Sequence, residues 1–109
     1  HVAFNEPGAT LESSAHIENL DPSTIQANAR FFNSPDEVPR QALSMGMGDI
    51  MKAKRIILMA WGANKADIIQ RTVEGEMSDQ VPATYLQAHP NCLIVLDEAA
   101  AARLARCQK

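Results

Sequence analysis

Four side chains carry most of the chemistry this sequence offers: His1, Glu6, Arg30 and Lys65. His1 and Glu6 lie five residues apart, across "VAFN". A carboxylate bonded to a histidine orients the ring and raises its basicity, which is the general-base arrangement. On spacing alone, a His and a Glu in one loop are more often two solvated neighbours. Arg30 stands in "ANARFF", where a cation beside two aromatics either packs over Phe31 or Phe32 or binds an anion. Lys65 follows an apolar run and the Gly-containing turn "WGAN" and opens a predicted helix. Backbone N–H groups at a helix start, joined by an ammonium, form a natural phosphate seat. His16 and His89 have no sequence neighbour that suggests a partner, and both read as surface or structural histidines. Cys92 and Cys107 are too few for a disulfide framework and lack metal-ligand spacing, so they read as reduced thiols of a cytoplasmic protein.

The elements that must position these residues follow from the rest of the chain. Its 109 residues suffice for one domain. Hydrophobic residues make up 46% and charged residues 21%, an ordinary globular balance. A net charge of -3 gives no electrostatic footprint for nucleic acid or an anionic membrane. The sequence holds no apolar run long enough to suggest a membrane span and no leader-like segment. With no initiator Met, it reads as a piece excised from a longer protein.

Residues 1–40 are rich in turn signals: "EPG", "DPS" and "NSPDEVP". Within them "DPSTIQANARFF" predicts a short helix, with Asp21 as N-cap and Pro22 at the first helical position. From Gln41 the pattern becomes regular. "QALSM" predicts a strand and "GMGDIMKAK" a turn and short helix. "RIILMA" (55–60) and "CLIVL" (92–96) are apolar runs of strand length. "KADIIQRTVEG" carries Ala66, Ile69 and Val73 on one helical face, with Gly75 as C-cap and Asn64 as N-cap. "PATYLQAHP" predicts a short helix between prolines. "DEAAAARLARC" predicts an Ala-rich helix, with Glu98 near its start and Arg103 and Arg106 near its end, as the helix dipole favours. Apolar strands alternating with helices predict an α/β fold with a mostly parallel sheet covered on both faces, a partial doubly wound, Rossmann-like arrangement. In such sheets ligands gather beyond the carboxyl ends of the strands, which singles out "WGANK" and Asp97–Glu98.

Taken in order and spacing, "HVAFNEP", "NARFF", "VPRQALSMGMGDIMKAKRIILMAWGANKA", "VEG", "LQAHP" and "IVLDEAAA" resemble the C-terminal half of the glucosamine-6-phosphate deaminase (isomerase) family. The resemblance implies a fragment of a larger three-layer α/β/α domain, with residues 1–40 as an active-site loop region and 41–109 as strand–helix units. It implies that His1 is the acid/base that opens the pyranose ring, that Glu6 holds it, and that Arg30 and Lys65 bind the sugar phosphate. It implies conversion of glucosamine 6-phosphate to fructose 6-phosphate and ammonia, without metal or organic cofactor, by a cytoplasmic protein that forms homo-oligomers. The family's Asp two residues before the histidine, its C1–C2 proton-transfer Asp and its phosphate loop would lie upstream of His1. The chain therefore reads as about half a site, inactive by itself. His16 stands where allosteric relatives carry a basic residue, typically Arg, which puts that regulation in doubt. Two related groups share the fold: sugar-phosphate-sensing domains of transcriptional regulators and the 6-phosphogluconolactonases, which usually lack "NEP".

Overall fold

A computed structural model of the chain describes residues 1–105. Seven elements of regular structure appear in chain order: β1 (His16–Asn19), α1 (Pro22–Asn28), β2 (Gln41–Ser44), α2 (Met47–Met51), β3 (Ile56–Ala60), α3 (Ala66–Glu74) and β4 (Cys92–Leu96), with short 3-10 segments between them. The fold is α/β. β1 and β2 form an antiparallel pair in which Ile17 faces Leu43. β3 and β4 form a parallel pair running from Ile56 opposite Cys92 to Ala60 opposite Leu96. Parallel strands need a long crossover, and here α3 and the 3-10 segment Pro82–Ala88 supply it.

Each predicted start has a local cause. Asp21 caps α1: its backbone is extended and its carboxylate accepts the Ser23 N–H, with Pro22 at the first position. α3 buries Ala66, Ile69 and Thr72, so Thr72 takes the place expected of Val73; its hydroxyl donates to the Ile68 carbonyl 2.7 Å away, which satisfies it inside the core. α3 ends at Gly75, whose φ of -83° is ordinary. Glycine is needed there for space, because a Cβ would sit 2.5 Å from the Arg71 carbonyl oxygen. The "MGMG" stretch is also a packing feature. A Cβ on Gly46 would stand 2.2 Å from the Ser13 carbonyl oxygen, and one on Gly48 2.7 Å from the same atom. That closeness lets Ser13 accept the Gly48 N–H through its carbonyl and the Met47 N–H through its hydroxyl. The 3-10 segment Pro82–Ala88 packs against α3 and contributes Ala83, Tyr85 and Leu86 to the core, beside Val81, Ala100 and Leu104.

Four further expectations change. Among the described residues the parallel pair is covered on one face only. Ile57, Met59, Leu93 and Val95 stay 45–59% exposed, because α3 and the 3-10 segment lie on the other side. Residues 98–103 form turns rather than an Ala-rich helix. Alanine favours helix, but a piece this short is decided by its tertiary contacts; the Asp97 carboxylate takes the Ala100 N–H at 2.8 Å as an N-cap would, yet the backbone that follows closes only turns. Arg103 pairs instead with Asp67 of α3 at 2.7 Å; Arg106 and Cys107 lie outside the described residues. Asn64 makes no cap, since a 3-10 turn over Ala63–Lys65 precedes α3. The turn-rich first forty residues also contain β1, which was not expected. No helix among the described residues is long and apolar enough to cross a membrane.

Candidate active site

The site is built around a tight turn at the start of the chain. The Asn5 N–H donates to the Val2 carbonyl at 3.0 Å, which closes Val2–Asn5. Ala3 within it has φ of 52°, a left-handed conformation that costs an L-residue about 1–2 kcal/mol. Surrounding bonds hold it there. Asn5 is fully buried, and its amide donates to the carbonyls of Val2 and Met45, each at 2.8 Å. The Phe4 N–H donates to the Ser44 hydroxyl, and the Gly8 N–H to the Asp79 carbonyl. This turn folds Glu6 back toward His1.

Glu6 is 8% exposed and uses both oxygens. Oε2 accepts from His1 Nε2 at 2.5 Å. Oε1 accepts the Asp21 N–H at 3.1 Å and the Thr24 hydroxyl at 3.2 Å. The Asp21 N–H is the group a capping-box Glu at the third helical position would normally receive. In α1 that position is Thr24, and Glu6 supplies the carboxylate from another segment. One side chain thus orients the histidine and fastens the head of α1. A carboxylate only accepts, so His1 carries its proton on Nε2 and leaves Nδ1 as the basic nitrogen. The ring is 41% exposed.

Lys65 reaches the same place from the far half of the chain. Gly62, with φ of 96°, turns the chain beyond β3 into the 3-10 turn that ends at Lys65. His1 and Lys65 together line two neighbouring cavities. One, of about 300 Å³, also has Ser23, Thr24 and Ala27 of α1 on its wall. The other, about 130 Å³, lies between Leu58–Ala60 of β3 and Ile68, Ile69 and Thr72 of α3. A larger open cleft of about 620 Å³ near Pro22 and Arg40 touches none of the four residues. Arg30 is not on either cavity wall. Its Nη1 donates to the Ala27 carbonyl at 2.8 Å, and its guanidinium lies 4.4 Å from the Phe31 ring centre. The structure therefore brings His1, Glu6 and Lys65 together and leaves Arg30 stacked at the surface, one turn beyond the cavity.

Sequence reasoning missed Thr24, which is 18 residues from Glu6. The only signal was its place three residues after the Asp21 cap. It also left His16 without a partner. His16 Nδ1 donates to the Ser14 carbonyl and Nε2 to the Glu18 carboxylate, both at 2.7 Å. Oxygen acceptors at both nitrogens favour the imidazolium form. The Ser14 carbonyl first, then Glu18, raises its pKa above the ordinary 6.5. His89 is structural, as expected: Nε2 donates to the Ala53 carbonyl, and Nδ1 accepts the Asn91 N–H.

No family model matches the chain. Individual proteins do. It is 55% identical over 104 residues to the glucosamine-6-phosphate deaminase of Streptococcus suis, which covers 95% of this chain and 44% of that protein. Against the glucosamine-6-phosphate deaminase of Oenococcus oeni it is 50% identical over 106 residues, 97% of this chain and 45% of that one. The solved structure of a monomeric glucosamine-6-phosphate deaminase of the NagB superfamily superposes with a TM-score of 0.88 at 41% identity, over 91% of this chain and 41% of that one. A 6-phosphogluconolactonase from Trypanosoma cruzi superposes at 0.69 with 17% identity, which shows a shared fold alone. The chain spans somewhat less than half the length of these curated relatives. Over nearly its whole length the chain is a homologue of part of the glucosamine-6-phosphate deaminases.

Proposed function

We propose that the full-length parent of this chain converts glucosamine 6-phosphate and water to fructose 6-phosphate and ammonia. The observation that carries the reading is the Glu6-held His1 lining the same cavity as Lys65. His1 Nδ1 takes the proton of the anomeric hydroxyl and returns it to the ring oxygen as the C1–O5 bond breaks. Glu6 holds the ring and stabilises the imidazolium in between. Lys65 holds the phosphate, with the first turns of α1 and α3 beside it. Arg30 is the second phosphate cation, and to serve it must turn from the Ala27 carbonyl toward the cavity.

Opening the ring exposes a 2-amino aldehyde. A proton then moves from C2 to C1 and another from the nitrogen to O1, the resulting C2 imine adds water, and ammonia leaves. The base for the C2–C1 transfer belongs, on this reading, to residues outside 1–109. General acid–base groups each contribute roughly 10²–10⁴-fold, so residues 1–109 alone release no ammonia. The site requires no metal or organic cofactor, the full-length protein self-associates, and it works in the cytoplasm. A sensor domain would have no use for the His1–Glu6 pair. The test compares ammonia release from glucosamine 6-phosphate by the full-length protein and by residues 1–109. Turnover by the former alone is expected; sugar-phosphate binding without turnover by the full-length protein would contradict the enzymatic reading.

A further inference from the structure

We propose that Asp97 is a positioning residue for the phosphate seat and sets the place of Lys65 through Gly62. This rests on the phosphate role given to Lys65 above.

Ala60 and Leu96 are the last paired residues of β3 and β4, so Gly62 and Asp97 emerge side by side at the carboxyl end of the parallel pair. Both Asp97 oxygens lie 3.1 Å from the Gly62 nitrogen, and Oδ1 also accepts the Ala100 N–H at 2.8 Å. Gly62 has φ of 96° and ψ of 149°, a conformation other residues avoid and one of several that glycine can adopt. Something must select it. The carboxylate does so at the Gly62 N–H, while the Gly62 carbonyl accepts the Lys65 N–H at 3.1 Å. The contacts therefore run without a gap from Asp97 through both sides of Gly62 to Lys65. Asp97 is exposed and lines neither cavity that Lys65 shares with His1. It acts on the turn and touches no substrate.

The test is steady-state kinetics of the full-length protein with glucosamine 6-phosphate, together with inhibition by inorganic phosphate. Asp97→Ala is expected to raise KM about tenfold, the scale of a lost charge-assisted hydrogen bond, with kcat changed less than about threefold. Phosphate inhibition should weaken in parallel. Asp97→Asn keeps an oxygen that can accept from Gly62 and should restore most of the affinity. A merely destabilised protein would lose active fraction, and hence kcat, while keeping KM. In a Lys65→Ala background, Asp97→Ala should add less than about twofold, because the two act through one contact. If Lys65→Ala raises KM and Asp97→Ala does not, the positioning role is wrong and the phosphate seat survives. Equal effects of Asp97→Ala with and without Lys65 would overturn the inference as well. If Lys65→Ala itself leaves KM unchanged, the phosphate seat falls and the role of Asp97 with it.

Discussion

Glu6 stands 2.5 Å from Nε2 of His1, a buried carboxylate against a ring that is 41% open to solvent. Its other oxygen is bound to Asp21 and Thr24 at the head of α1. Histidine orientation and helix position are therefore coupled through one side chain, and substitutions on either side report on the coupling.

Thr24→Val removes the hydroxyl that donates to Glu6 Oε1 and keeps the side-chain shape. The expected loss of stability is about 0.5–1.5 kcal/mol, the net value of one such bond. Denaturant unfolding measures it. In the full-length protein kcat should fall a few-fold with KM nearly unchanged, since the loosened carboxylate holds His1 less well.

Lys65→Ala should raise KM for glucosamine 6-phosphate by roughly 10- to 100-fold with the fold intact, as a charge-assisted phosphate contact implies. Arg30→Ala should have a smaller effect, because its guanidinium must first leave the Ala27 carbonyl and the Phe31 ring. Initial-rate kinetics and circular dichroism on both variants give the comparison. An Arg30 effect larger than that of Lys65 would reverse the assignment.

His16 should titrate above 6.5, because the Ser14 carbonyl and then Glu18 favour its charged form. A folded-state pKa above the unfolded value means that protonation favours folding. The contribution is complete below about 6.5 and disappears as pH rises through the folded-state value. A proton NMR titration of the His16 ring gives the midpoint, and Glu18→Gln should move it back toward 6.5. An unchanged midpoint in that variant would show that the ion pair does not form in solution.

Gly46→Ala should destabilise the protein by at least about 1–3 kcal/mol, the usual cost of overpacking, since its Cβ would meet the Ser13 backbone. Thermal unfolding measures this. Gly8→Ala tests a different cause: nothing lies within 4 Å of a Cβ there, but its φ is 97°, so any loss reflects backbone strain alone.

What was legible in the sequence had local causes. β3 and β4 were visible as apolar runs, and α1 as an Asp-Pro start before "STIQAN". The five-residue spacing of His1 and Glu6 allowed a pair and two solvated neighbours alike, and the Val2–Asn5 turn that closes the pair is visible only in the structure. The Thr24–Glu6 and Asp97–Gly62 bonds join residues 18 and 35 apart, and no local pattern announces such contacts. The Ala-rich 98–103 segment misled because intrinsic propensity is a weak prior that tertiary context overrides, even with Asp97 placed as an N-cap. The apolar faces of β3 and β4 were read correctly as sequence, but apolar composition does not say which neighbours cover each face. Arg30 was ambiguous for a physical reason: the same side chain suits both an aromatic ring and a phosphate.

The most direct test of the account is the kinetics of Glu6→Gln in the full-length protein, read as ammonia released from glucosamine 6-phosphate. Glutamine keeps the size of the side chain and removes the charge that orients His1 and stabilises its imidazolium. The account predicts a fall in kcat of roughly 10²-fold or more, in the range of a general acid–base group, with KM within a few-fold of the unaltered protein. Unaltered kcat in Glu6→Gln, with the variant folded, would contradict the catalytic role of the His1–Glu6 pair.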